Sequence, residues 1–109
     1  MTITHAQTQN CFEAWMNCEN LLYSLAEVKN CFSRQVTKTI DECAYICLGT
    51  FHAIKSHSHN IKEMALLCIG ICEECAEICE KQYGEAFQEC AQICRRCSKN
   101  LSSLALNEN

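Results

Sequence analysis

The chain has 109 residues, 49% of them hydrophobic, and a formal net charge of −4. That suffices for one domain with a real core and is too short for two, while the acidic balance argues against a nucleic-acid partner and against an anionic membrane surface. Twelve cysteines beside three glycines and no proline argue against a loop-rich disulfide scaffold, which needs more turn residues.

The N-terminal stretch from Met1 to Asn10 has neither the basic start nor the apolar run of a signal peptide. No segment approaches the roughly 18 apolar residues of a membrane span. The expectation is a cytoplasmic protein with reduced thiols.

Four helices are predicted, at about 8–29, 33–55, 60–82 and 85–104, with 1–7 and 105–109 as flexible tails. Breaks fall at Asn30–Ser33, Ser56–Asn60 and Tyr83–Gly84. Thr8 and Ser33 are candidate N-caps for the first two helices. Asn60, with Glu63 three residues on, reads as a capping box for the third. Strand signals are absent.

Apolar and cysteine positions recur at alternating spacings of three and four. The first helix gives Cys11, Trp15, Cys18, Leu22 and Leu25. The second gives Val36, Ile40, Cys43, Cys47 and then Ile54. The third gives Ile61, Ala65, Cys68, Cys72, Cys75 and Cys79, and the fourth Phe87, Cys90, Cys94, Cys97, Leu101 and Leu104. These are inward-facing stripes. Short connections make neighbours antiparallel, so the expected fold is all-α, an up-down-up-down four-helix bundle with cysteines lining its core. Glu73, Glu74, Glu77, Glu80, Glu89, Arg95, Arg96 and Lys99 fall between the stripes, mostly on solvated faces. Antiparallel pairing sets expected layers: Leu22 with Cys43, Cys72 and Cys94; Leu25 with Ile40, Cys75 and Cys90; Cys18 with Cys47, Cys68 and Cys97. Cys79 is expected to approach Phe87.

Such a column has a restricted chemistry. Cys43/Cys47, Cys68/Cys72, Cys75/Cys79 and Cys90/Cys94 are i,i+4 pairs, and Cys72/Cys75 and Cys94/Cys97 are i,i+3 pairs. Their Cβ atoms should lie about 5–6 Å apart, too far for the about 3.8 Å of a disulfide. Two sulfurs so placed can instead hold a soft ion, and Cu(I) prefers thiolate ligands. Zinc is the rival, since it can bind across two helices, although it favours C-x2-C knuckles on turns. An iron–sulfur cluster fits less well: ferredoxin-type runs wrap C-x2-C-x2-C-x3-C-P as a loop, and there is no proline here. Redox catalysis through Cys72-Glu-Glu-Cys75 or Cys94-Arg-Arg-Cys97 would need a C-x-x-C at a helix N-terminus after a strand, and neither condition holds. Free cysteine also packs as a small hydrophobe. Nine cysteines between Cys43 and Cys97, nearly all on the seam, are more than packing requires.

The pattern resembles the four-helix-bundle copper storage proteins. "CAYIC" (43–47), "CIGICEECAEIC" (68–79) and "CAQICRRC" (90–97) carry the resemblance, which spans about residues 11 to 104. It implies multiple Cu(I) ions per chain, held by thiolates inside the bundle for storage, buffering or detoxification. It further implies no catalysis, and association into a homo-oligomer, a tetramer. The chain departs from the richer members where Trp15, Leu22 and Leu25 stand on the first helix, and where Val36, Ile40 and Leu101 stand elsewhere. Capacity should therefore be lower. Two thiolates per ion give about six ions, and bridging thiolates raise the ceiling towards roughly one ion per thiol. The expected metal ligands are Cys18, Cys43, Cys47, Cys68, Cys72, Cys75, Cys79, Cys90, Cys94 and Cys97, with Cys11 a lesser candidate. The alternative is a structural or interaction bundle whose thiols are packing or a redox buffer, or a zinc-binding protein.

His52, His57 and His59 cluster near the turn between the second and third helices. They read either as a solvated polar loop or as an entry port for copper, with His57 the imidazole concerned. Met64 reads as rim packing at the same end, and His5 has no assigned role. Cys31 lies off the column and is left out of the site. Trp15 reads as core or subunit interface. Gly70 suggests a close helix approach, between subunits or within one.

Overall fold

The stretch from Cys68 to Cys79 contains no residue that breaks a helix, and it forms the last three turns of one. A computed structural model describes residues 5–27 and 33–106. It contains α1 (His5–Ala26), α2 (Arg34–Lys55), α3 (Ile61–Glu80) and α4 (Glu85–Leu106), and no strand among the described residues. Each helix packs against two neighbours, α1 on α2 and α4, α3 on α2 and α4, while diagonal backbones stay more than 8 Å apart and meet only through inward side chains such as Cys43 and Cys94. Short connections alternate the helix directions. The result is an antiparallel four-helix bundle measuring 47 × 21 × 20 Å.

The helix ends follow local chemistry. Ser33 caps α2, its Oγ accepting from Val36 N at 3.3 Å. Asn60 does not form the expected capping box. Its side chain makes no cap hydrogen bond, because the Ser58 hydroxyl donates to Asn60 Oδ1 and accepts from Asn60 N. Thr8 is not a cap either, since α1 already runs from His5. Part of each expected tail is helical. His5–Gln7 belong to α1, and Ala105 and Leu106 to α4. Gln7 is buried and donates to Asn100 O at 3.2 Å and to Ser103 Oγ at 2.6 Å, and Asn100 Nδ2 donates to Asn10 Oδ1. A polar seam thus ties the start of α1 to the end of α4. Gly84 turns α3 into α4 with φ of 115°, a conformation open to a residue without Cβ.

The seams of α2, α3 and α4 are those expected from spacing. Every stripe position named for them above, from Val36 through Leu104, is buried. On α1 the buried face is Cys11, Ala14, Cys18, Leu21 and Leu25, while Trp15 and Leu22 are half-buried. Both series alternate three and four. The small Ala14 faces inward, and the bulky Trp15 lies edge-on to Phe12 with ring centroids 5.5 Å apart. Gly70 is exposed and has nothing within 4 Å of an added Cβ, so it mediates no close approach within the bundle. That role falls to Gly49, where a Cβ would meet Met64 Cε at 3.2 Å.

The acidic and basic residues between the stripes lie at the surface. Arg95 on α4 bridges Glu73 and Glu80 on α3, each at 2.7 Å. All three side chains are more than two-fifths exposed, so the contribution to stability is small. Among the described residues, no helix is long and apolar enough to cross a membrane.

Candidate metal centre

Eleven cysteines fall among the described residues. All eleven are free, and each has no solvent exposure. Cys31 lies outside the described residues. The eleven sulfurs form one connected chain along the bundle axis. At one end Cys11 Sγ lies 4.0 Å from Cys97 Sγ. Cys97 stands with Cys47, Cys68 and Cys72 in a group whose sulfurs are all within 4.8 Å of one another. Inside it Cys47 lies 3.7 Å from Cys68 and 3.6 Å from Cys72. Cys43 links this group to the next, 3.9 Å from both Cys47 and Cys72 and 3.8 Å from Cys94. Cys18, Cys43, Cys75 and Cys94 form the second group, one sulfur from each helix. Cys75, Cys79 and Cys90 form a third at the α3–α4 end, and Cys90 touches Cys18 at 3.8 Å.

This arrangement corrects the expected layers. Cys18 does not sit with Cys47, Cys68 and Cys97. It stands one turn further along, beside Cys43, Cys75 and Cys94, where Leu22 was expected. α1 ends at Ala26, about three residues before the expected end, and α2 starts at Arg34. Relative to the expected layers α1 is slid along the axis by about one turn. The same slide brings Cys11 off the apolar end and into contact with Cys97. Sequence spacing undervalued Cys11 because a slide along the axis leaves helical periodicity unchanged.

The two ends of the column differ. Thr50, Ile54, Ile61, Ala65, Leu101 and Leu104 close it at the α2–α3 turn. Cys68 lies seven residues into α3, about 10 Å from the helix start. The buried Thr50 hydroxyl is satisfied by Ile46 O at 2.8 Å. His52, His57 and His59 are exposed beyond this layer, His57 with φ of 55°. At the other end Cys79 is the penultimate residue of α3, and Leu21, Leu25, Val36, Ile40 and Phe87 are the buried neighbours closing the remaining walls.

Packed sulfurs share protons. Hydrogen bonding to Cys43, Cys75, Cys90 and Cys94, with burial, holds Cys18 well above the ordinary thiol range. Cys75 is the counterpart, held low as the acceptor from Cys18, Cys43, Cys79 and Cys90. Cys68 is held low by Cys11, Cys47, Cys72 and Cys97, and Cys97 is held down to about 6 by Cys11 and Cys47. Each group therefore has sulfurs poised to ionise first, with neighbours donating to them. A thiolate cluster without carboxylate or imidazole in contact is soft, and it suits Cu(I) and other thiophilic d10 ions.

A family model described as Csp, copper storage protein, matches residues 2–105. The chain is 28% identical to YhjQ of Bacillus subtilis (strain 168), an uncharacterized cysteine-rich protein, over 109 residues covering 90% of this chain and 95% of that one. No solved structure matches the chain.

Proposed function

The chain belongs to the copper storage protein family, and we propose that it stores several Cu(I) ions along its sulfur column. The observation that carries this reading is the unbroken run of eleven buried sulfurs from Cys11 to Cys79, each within 4.8 Å of the next. The ligands are Cys18, Cys43, Cys47, Cys68, Cys72, Cys75, Cys79, Cys90, Cys94 and Cys97, with Cys11 joined through Cys97. Each entering ion displaces thiol protons, so loading releases acid and weakens at low pH. Buried thiolates keep the ion univalent and away from water and oxygen. His57 is the exposed imidazole that meets copper first at the α2–α3 turn. No catalytic step is assigned, since every thiol among the described residues is enclosed. A reduced core requires a reducing compartment, and the cytoplasm supplies one. The half-exposed Phe12 and Met16 beside Trp15 offer apolar surface for self-association, which the tetramer of this reading would cover.

The test is an anaerobic Cu(I) titration of the fully reduced chain against a coloured Cu(I) chelator, with metal counted after gel filtration. Several retained ions per chain are expected. One ion or none would refute storage.

A further inference from the structure

Two of the three sulfur groups contain four sulfurs and share none. Cys18, Cys43, Cys75 and Cys94 form one, and Cys47, Cys68, Cys72 and Cys97 the other. We propose that each also binds one divalent d10 cation, Zn(II) foremost, in a four-thiolate site occupied before copper loads. This inference does not depend on copper being the cargo.

The geometry supports it in three steps. In both groups all sulfurs lie within 4.8 Å of one another, and non-bonded sulfur atoms approach no closer than about 3.6 Å, the distance between Cys47 and Cys72. A planar square of that edge would have diagonals of about 5.1 Å, beyond the 4.8 Å limit, so each group is folded towards a tetrahedron. A tetrahedral ion with zinc–sulfur bonds of about 2.3 Å has sulfur–sulfur edges of about 3.8 Å. The contacts present are 3.7 Å for Cys47–Cys68, 3.9 Å for Cys68–Cys72 and 3.8 Å for Cys43–Cys94. The helices need not move apart to admit the ion.

The other thiols among the described residues complete the sites from outside. Cys90 touches Cys18, Cys79 touches Cys75, and Cys11 touches Cys97, at 3.8, 4.0 and 4.0 Å. Each can stay protonated and donate to a metal-bound sulfur, the support that ligating groups require. On binding, four S–H bonds break, four protons leave and four zinc–sulfur bonds form. The site then carries a net charge of two minus in a buried core. Copper at one Cu(I) per thiolate leaves the core neutral. That difference orders the two metals: the divalent ion holds the empty column, and accumulating Cu(I) expels it.

The experiment uses the full reduced chain under anaerobic conditions with Zn(II) alone and with Co(II) alone. Two zinc ions per chain should survive gel filtration. Co(II) should give intense sulfur-to-cobalt charge-transfer bands and the visible bands of a tetrahedral site, saturating at two equivalents. Cys94→Ser and Cys97→Ser, near-isosteric changes in different groups, should each halve that saturation point. Stepwise Cu(I) should then release both zinc ions from the wild-type chain. The proposal is overturned if the wild type takes up several Cu(I) ions but retains no zinc and shows no cobalt bands, or if neither serine variant alters the stoichiometry. Retention of zinc without uptake of Cu(I) would support this inference while refuting copper storage.

Discussion

Cys47 Sγ on α2 lies 3.6 Å from Cys72 Sγ on α3, a sulfur contact at van der Waals distance between neighbouring helices. Cys43 stands 3.9 Å from both, so this triangle joins the two four-sulfur groups. Replacing Cys72, Cys75 and Cys94 together by alanine should lower Cu(I) capacity by about a quarter or more. Each change leaves a small cavity and should cost on the order of 1 kcal/mol. Chelator competition and circular dichroism on the same samples check both numbers. If the thiols were packing alone, stability would fall and copper retention would be as poor in the wild type as in the variant.

Alkaline pH should destabilise the metal-free protein. Cys11, Cys18, Cys43, Cys47, Cys72, Cys79 and Cys90 are held above the ordinary thiol value near 9 by hydrogen bonding to neighbouring sulfurs and by burial. Above that value the unfolded chain loses protons that the folded chain keeps, so unfolding free energy falls as pH rises. The four thiols held low, Cys68, Cys75, Cys94 and Cys97, act in the opposite sense until the unfolded chain is fully ionised, but the seven held high outnumber them. Urea midpoints of the reduced apo-protein between about pH 8 and 10 should therefore decline.

Leu101 is fully buried in the layer that closes the column beyond Cys97. Leu101→Ala should cost about 2–5 kcal/mol yet leave the number of bound copper ions unchanged. Thermal unfolding and metal counting separate the two effects. A fall in copper number in protein that stays folded would mean that this layer shapes the sulfur groups.

Gly84 has φ of 115° and open space around its Cα, so any cost of a side chain there is backbone strain. Gly84→Ala should destabilise by about 1–3 kcal/mol without changing metal capacity, as chemical denaturation and titration would show.

His57→Ala should slow copper uptake without changing the amount finally held. Stopped-flow transfer from a Cu(I) chelate measures the first, and equilibrium titration the second. An unchanged rate would return His57 to the status of a solvated turn residue.

The legible parts of this protein are those where spacing admits a single solution. On α3, Cys68, Cys72, Cys75 and Cys79 can share only one face, and the stripe followed directly. The same holds for Cys90, Cys94 and Cys97 on α4. On α1 the series through Ala14 and Leu21 and the series through Trp15 and Leu22 are equally periodic. Side-chain volume decided between them, because the space beside Cys11 and Cys18 suits a methyl group rather than an indole. The partner of Cys18 was beyond periodicity altogether. It depends on where α1 stops, and Ala26 ends that helix with no basic residue in its last turn and no glycine, the usual stop signal, following it. The Asn60–Glu63 signal failed for a local reason, since a serine two residues upstream took the asparagine oxygen first.

The sulfur contacts of 3.6–4.0 Å give the core the character of an interstitial solid. The large atoms already touch, and a small guest ion lodges in the gaps between them, as carbon does in iron. Filling such a host changes its mass and electron density far more than its outline. A rod with a radius of gyration of 13.7 Å when empty should keep that dimension when full, so loading of the proposed cargo would leave the outer surface unaltered.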